Sequence, residues 1–336
     1  MALTPISITS IPGFRFGHWT DAEAATGCTA IIAPEGAVGG VDVRGGAPAS
    51  RETDLLRPEN TVDAVHAVML AGGSAYGLEA ASGAIRELET RGIGLDVGVG
   101  RVPIVCSSCL FDLAFGSAQA RPDANAGVHA VREALDGDPS LPLAEGSVGA
   151  GTGATVGKLA GPARAMKGGL GARAFELGPL QVGAVAAVNA VGNVIDPATA
   201  APVAGMRATE NGHEILDMEE AMLGLASQLT MPLDRTNTTI SCIVTNARLT
   251  KAQATKVAQM AADAYAHTIR PTHTTNDGDT VYVLASGALA AEASTQLPLD
   301  LIGLAATRAL EAAIVAGCTE AHGLHGLPAH RDLADA

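Results

Sequence analysis

Residues 239–246 read Thr-Ile-Ser-Cys-Ile-Val-Thr-Asn, and residues 250–269 follow them as TKAQATKVAQMAADAYAHTI. The first run is short, apolar and β-branched, which predicts a buried strand. The second opens on Thr250-x-x-Gln253, in which each side chain can satisfy the other residue's backbone N–H, so it predicts a helix from Lys251 to about Ile269. The same alternation recurs outward in both directions. Ala64 to Leu70 (AVHAVML) predicts another buried strand, Ala71-Gly72-Gly73-Ser74 a turn, and Tyr76 to Thr90 a helix ending before Gly92. Val182 to Val188 and Asn193-Val194-Ile195 predict two strands around the tight turn Asn189-Ala190-Val191-Gly192. Thr280 to Ala285 (TVYVLA) predicts a strand and Leu299 to Ala316 a helix. Buried strands interleaved with Ala-rich helices imply a layered α/β or α+β architecture.

Composition fits that architecture. The 336 residues are 47% hydrophobic and 17% charged, which excludes a disordered chain. The 40 glycines show no three-residue period, and aromatics make up only 3%. Such a chain builds its core from Ala, Val, Leu and Ile, with backbones approaching closely at glycine. The glycines concentrate between Gly146 and Gly171, which predicts a loop-rich, closely packed segment between two strand systems. No polar linker follows it, so residues 1–336 read as a single domain.

The formal charge is −14, with no cluster of Lys and Arg, which argues against a nucleic-acid partner and against an anionic membrane surface. The N-terminal stretch lacks the basic and apolar regions of a signal peptide. The apolar run from Leu299 to Cys318 is interrupted by Asp300, Arg308 and Glu311, as in an amphipathic helix. These features read as a soluble, cytoplasmic protein. The cysteines, Cys28, Cys106, Cys109, Cys242 and Cys318, offer one CxxC without a second pair, and the nine histidines no HExxH. Buried thiols and no metal are the expectation.

Several motifs suggest chemistry and fail on spacing. A phosphate loop around Gly157-Lys158 would need Gly at 152 and Ser or Thr at 159, where this chain has Thr152 and Leu159. Gly149-x-Gly151-x-x-Ala154 fits a loose dinucleotide fingerprint, but Gly157, Gly161 and Pro162 prevent the helix that should hold the pyrophosphate. No nucleotide cofactor is expected. A nucleophile elbow at Ser74 would need Gly where Tyr76 stands. That turn reads as a strand-to-helix connection, with Ser74 near the helix N-cap and Ser74 and Tyr76 candidates to line a pocket. Asp277-Gly278-Asp279 is a turn signal without the other ligands of a calcium loop. Thr238 and Thr239 are ordinary strand residues when taken singly.

Taken in order, the stretches are more specific. They include Ile11-Pro12-Gly13-Phe14-Arg15-Phe16-Gly17-His18, Val43 to Pro48 (VRGGAP), Arg51 to Leu56 (RETDLL), and Leu70 to Leu78 (LAGGSAYGL). Gly149 to Lys158, Val188 to Gly192, Asn237-Thr238-Thr239-Ile240 and His273 through Asp277-Gly278-Asp279-Thr280 follow. Over nearly the whole chain they resemble the P1 family of self-processing peptidases, which includes L-aminopeptidase/D-esterase enzymes, β-peptidyl aminopeptidases and nylon-oligomer endo-hydrolases. The resemblance implies an α+β, four-layer αββα sandwich like that of N-terminal-nucleophile hydrolases, with different connectivity. It implies self-cleavage between Asn237 and Thr238, into chains 1–237 and 238–336 that stay together, and assembly into homo-oligomers of four or more copies.

By the same resemblance, Thr238 is the nucleophile and Asn189 helps stabilise the oxyanion. Asp277 and Asp279 orient the nucleophile and its amine, and Lys158 is the lysine near them, with Lys167 its rival. Relatives carry a tyrosine where this chain has Phe111, which places Phe111 in the substrate pocket without a hydroxyl. The chemistry is coherent. A threonine hydroxyl needs a base close by, and an α-amino group, with a pKa of about 7.7–8.0, can serve near neutral pH. The expected activity is an aminopeptidase on short peptides or amino-acid amides. The alternatives are an endo-amidase on 6-aminohexanoate oligomers, and a ligand-binding member that never processes.

Overall fold

The computed structural model describes residues 2–225 and 237–334. Its architecture turns on one long strand. β1 (Arg15–Asp21), β2 (Thr26–Val43), β3 (Val65–Ala71) and β4 (Val105–Cys109) form one sheet. β5 (Gly169–Leu177), β6 (Leu180–Asn189), β7 (Thr238–Thr245) and β8 (Thr280–Ala285) form the other. The first half of β2 pairs with β1 and β3, and its second half pairs with β8. The register shifts between Ile32 and Ala37, where Pro34 and Gly36 interrupt the run. A bulge there lets one strand leave one sheet for the other.

Side-chain alternation then builds the layers. Ile240, Cys242 and Val244 of β7 face the other sheet, where they meet Val68 and Leu70 of β3, while Ile243 faces away. The outward face of the first sheet, with Ala67, Met69 and Ala71, is covered by α1 (Glu79–Thr90) and α2 (Ala124–Asp136). The outward face of the second is covered by α3 (Lys251–Ala261) and α4 (Leu299–Thr319). The order is therefore helices, sheet, sheet, helices. Every residue of β3, β7 and β8 is buried, which is why these strands read as continuous apolar runs rather than as alternating ones. α4 is long and apolar enough to cross a bilayer, but 72% of its most apolar window is buried within the fold.

Small residues permit these close layers. Gly151 lies so near β5 that a Cβ there would stand 2.1 Å from the Leu170 backbone nitrogen. The segment 146–171 is thus pinned inside the molecule, with Gly146 and Leu170 exchanging N–H to carbonyl bonds of 2.7 and 2.8 Å. Among the described residues all five cysteines are buried and free.

Three local expectations change. The capping box at Thr250 and Gln253 forms, but the helix it opens stops at Ala261. A second helix covers Asp263–Thr268, and Ile269 then leaves to pair with Val194. The strands on either side of the 189–192 turn are not partners. Both edges of β6 are already taken by β5 and β7, so Asn193–Ile195 pairs instead with Pro202–Ala204 and Ile269–Arg270. The helix expected from Tyr76 begins as a tight 3-10 turn, Ser74–Leu78, and Ser74 makes no capping bond. Gly73 and Ser74 both have positive φ (82° and 54°), so the chain reverses before it can enter a regular helix.

Candidate active site

The pairing of three central strands brings the candidate residues together. β6 and β7 run antiparallel, with Asn189 directly opposite Thr238 at the end of the ladder. β7 and β8 run parallel, with Ile240 opposite Thr280, so the turn before β8 lies beside the start of β7. The Gly278 N–H donates to Thr238 Oγ1 at 3.1 Å, and the Thr238 hydroxyl donates to the Asn237 carbonyl. Asn237 and Thr238 are buried, at 3% and 4% exposure.

The two aspartates flank this contact. Asp279 Oδ1 accepts the Thr239 N–H at 2.8 Å, and its Oδ2 accepts from the His273 N–H, His273 Nδ1 and the Thr272 hydroxyl. Asp277 Oδ2 accepts the Thr274 N–H at 2.7 Å, whereas its Oδ1 is buried without a hydrogen-bond partner among the described residues. Burial, reinforced by the charge of Asp279, pushes the Asp277 carboxyl up to about 6. The VRGGAP stretch braces the turn from below. The N–H groups of Arg44 and Gly45 donate to the Asp279 carbonyl, and that of Ala47 to the Asp277 carbonyl at 2.8 Å.

Asn189 is fixed from three sides. Its Oδ1 accepts the Thr155 N–H at 3.0 Å and Lys158 Nζ at 2.7 Å, and its Nδ2 donates to the Phe111 carbonyl at 2.9 Å. Lys158 Nζ also reaches the Asn189 carbonyl at 3.0 Å. Burial lowers the Lys158 ammonium to about 7, against the opposing pull of Asp277. Lys167 sits behind, fully buried, and donates to the carbonyls of Thr152 and Ala154 at 2.8 and 2.6 Å. Of the two lysines, Lys158 is the one in contact with Asn189.

Beside Lys158 opens a cavity of about 150 Å³, lined by Phe111, Phe115, Thr155, Pro162 and Leu327 among others. Phe111, expected in a substrate pocket, lines this cavity. Ser74 and Tyr76 are not among the described residues that line this cavity. Tyr76 is 59% exposed with the Arg121 guanidinium 3.6 Å above its ring, and the Ser74 N–H is directed to the Leu110 carbonyl. The turn touches the cavity through Asp112, whose Oδ1 accepts the Gly73 N–H at 2.6 Å. Motif reading assigned no role to Asp112, His273 or Tyr265. The Tyr265 hydroxyl bonds the carbonyls of Thr239 and Thr280, and its ring stacks on His273 at 5.4 Å. His273 lay within a quoted motif, but its partner Asp279 becomes evident only once the turn is folded.

Gly278 admits a direct test of this geometry. A Cβ at that position would lie 2.9 Å from Thr238 Oγ1 and 3.0 Å from the Ala47 carbonyl oxygen. Gly278→Ala should therefore displace the hydroxyl by several tenths of an ångström and, if Thr238 is the nucleophile that the resemblance implies, lower hydrolysis at least about tenfold. Steady-state rates of the folded variant check it. Wild-type rates would show that the hydroxyl is not the reacting group.

The profile of peptidase family S58 matches residues 7–331. An uncharacterized aminopeptidase of Mycobacterium leprae is 41% identical, with 98% of this chain and 94% of the relative covered. A 6-aminohexanoate-oligomer endohydrolase of Kocuria sp. is 33% identical, over 82% of this chain and 73% of the relative. The solved structure of an L-aminopeptidase D-Ala-esterase/amidase from Ochrobactrum anthropi, described as a new variant among the Ntn hydrolase fold, superimposes with a TM-score of 0.64. It is 20% identical and covers 98% of this chain and 92% of its own. That likeness shows the fold, which is the layered N-terminal-nucleophile type expected from the motifs.

Proposed function

The chain belongs to peptidase family S58 and is a hydrolase of peptide or amide bonds, and on that premise we propose that it activates itself by cleaving between Asn237 and Thr238. The observation that carries the proposal is the placement of the Thr238 hydroxyl on the Asn237 carbonyl, with the Gly278 N–H directed at its oxygen. The hydroxyl oxygen attacks the Asn237 carbonyl carbon, the peptide nitrogen leaves as an amine, and an ester joins the two residues. Water then hydrolyses the ester and releases the 1–237 carboxylate.

The freed Thr238 amine is the base for the second reaction. It takes the hydroxyl proton as the oxygen attacks a substrate carbonyl, and water clears the resulting acyl-enzyme. Asn189, held by Lys158 and Thr155, faces the developing oxyanion. Asp277 and Asp279 flank the new amine and orient it. Burial of Asn237 and Thr238 supports an intramolecular cut, because an external protease acts on exposed or opened peptide.

Intact-mass analysis tests the first step. Purified protein should convert from one 33.6 kDa chain into fragments 1–237 and 238–336. A chain that stays whole after prolonged incubation refutes self-activation and leaves a ligand-binding role.

The first choice of substrate is a short peptide or amino-acid amide, in keeping with the aminopeptidase relatives. One observation favours the endo-amidase as a second reading. Asp112 is the only carboxylate lining the cavity among the described residues, and both its oxygens already accept hydrogen bonds, from Gly73 and Thr26. A substrate ammonium would have to share that carboxylate with both donors. Cleavage of 6-aminohexanoate oligomers by the processed enzyme would support that reading. The cytoplasmic location, which the free cysteines suit, and a homo-oligomeric assembly belong to the same proposal.

A further inference from the structure

We propose that the cavity beside Asn189 receives the acyl side of the substrate and selects a bulky apolar group, with Phe115 and Leu327 setting the preference. The inference rests on the hydrolase reading above and adds the class of substrate. The cavity's volume, about 150 Å³, is that of an apolar cavity able to hold a benzene-sized group. Its walls are Phe111, Phe115, Pro162 and Leu327.

Its charged members already hold partners outside it. Asp112 accepts the Gly73 N–H and the Thr26 hydroxyl, Thr155 donates its N–H to Asn189, and Lys158 donates to both oxygens of Asn189. A charged substrate group would exchange its water for Asp112 and Lys158 groups already shared with these bonds, whereas an apolar one gives up no hydrogen bond.

The pocket is also rigidly assembled. The Lys167 N–H donates to the Pro328 carbonyl at 2.9 Å, which ties down the segment bearing Leu327. The Lys167 ammonium holds the carbonyls of Thr152 and Ala154 and lies 5.1 Å from the centre of the Phe115 ring. Phe115 meets His325 edge to face at 5.6 Å. Wall segments remote in sequence are thus fixed around one buried lysine, as expected of a largely preformed site. The link to the reaction is the Asn189 Nδ2 bond to the Phe111 carbonyl, since Asn189 is the strand partner of Thr238.

Two measurements test the proposal. Processed wild-type enzyme is assayed with the p-nitroanilides of leucine, phenylalanine, alanine and aspartate. The kcat/KM for leucine and phenylalanine should exceed that for alanine and aspartate by about tenfold or more. Leu327→Ala should reduce the leucine-to-alanine ratio several-fold, with completed processing by intact mass verifying that the variant folds; Phe115→Leu is the milder second variant. A flat profile, or a preference for aspartate, overturns the proposal.

The second measurement needs no turnover. Calorimetry on the uncut Thr238→Ala chain should give leucinamide at least about tenfold tighter binding than alaninamide, and Leu327→Ala in that background should erase the difference. Equal affinities, or no binding of either, overturn the pocket. Selective binding alongside a wild type that hydrolyses nothing would instead refute the hydrolase reading and leave the pocket standing.

Discussion

Thr238→Ala is expected to keep the protein as one 33.6 kDa chain indefinitely and to abolish hydrolysis, by at least about 10⁴-fold. Both losses follow from removing one oxygen. Without it nothing attacks the Asn237 carbonyl, so the amine that would serve as base is never released, and no nucleophile remains for a substrate. The fold should survive, because the lost contacts are one N–H from Gly278 and one bond to the adjacent carbonyl at the end of a ladder. Thr238→Ser keeps the oxygen and should retain both reactions. Intact mass and a progress curve decide the matter: fragments of 1–237 and 238–336 from the alanine variant would place the nucleophile elsewhere.

Lys158→Met should lower kcat by about 10²–10³-fold while leaving the chain folded. Methionine nearly fills the space of the lysine stem. It cannot make the bonds of 2.7 and 3.0 Å that hold both Asn189 oxygens. The acidic limb of the kcat/KM profile should also move to higher pH, because a nearby cation favours the neutral amine and its removal raises the amine pKa.

Stability carries a second signature of the same residue. Lys158 and Lys167 fall from the usual 10.5 to about 7, since burial disfavours their charged forms. Between about 7 and 10.5 the unfolded chain binds protons that the folded chain does not, so stability rises with pH across that window. Asp277 acts in the opposite sense at lower pH. Raised from 3.8 to about 6, it binds a proton only in the folded chain between those values, so its contribution falls as pH rises through them. In the uncut Thr238→Ala background, the urea midpoint should climb from pH 7 to pH 9, and adding Lys158→Met should reduce that climb while Lys167 preserves part of it. An unchanged climb in the double variant would show that Lys158 holds its proton as an exposed lysine does.

Much of this architecture was legible in the chain, and the reason differs by element. β7 and β8 could be read because strands buried on both faces need apolar, β-branched residues at nearly every position. The cap at Thr250 could be read because it is a local exchange of hydrogen bonds. The break at Ala262 could not, because Ile269 is drawn off by Val194, a partner far away in sequence. The order of strands was equally hidden, since nothing in residues 180–195 says that both edges of β6 are occupied.

The site divides along the same line. Thr238, Asn189 and the aspartate pair were candidates through the resemblance that the ordered motifs carry, and the strand pairing gathers them, whereas no spacing rule brings Asn189 opposite Thr238. Asp112 and His273 were missed because their meaning lies in partners: Thr26 and Gly73 for one, Asp279 and Tyr265 for the other. Ser74 and Tyr76 stand apart from this cavity, and their turn reaches it through the Gly73 N–H bond to Asp112.

The position of β7 between β6 and β8 has a consequence for the life of the molecule. The bond proposed to break adjoins an interior strand, and the groups that act on it arrive from both neighbours, Asn189 from one and Gly278 from the other. A chain that has not closed the sheet cannot assemble them. Scission would then be a certificate of completed folding, issued by the fold itself, and a misassembled copy would stay whole and inert. Once cut, the smaller piece would be the middle of a sheet whose flanks belong to the larger. The two could part only by unfolding, and unfolded pieces would lack the single thread along which the precursor first found its shape.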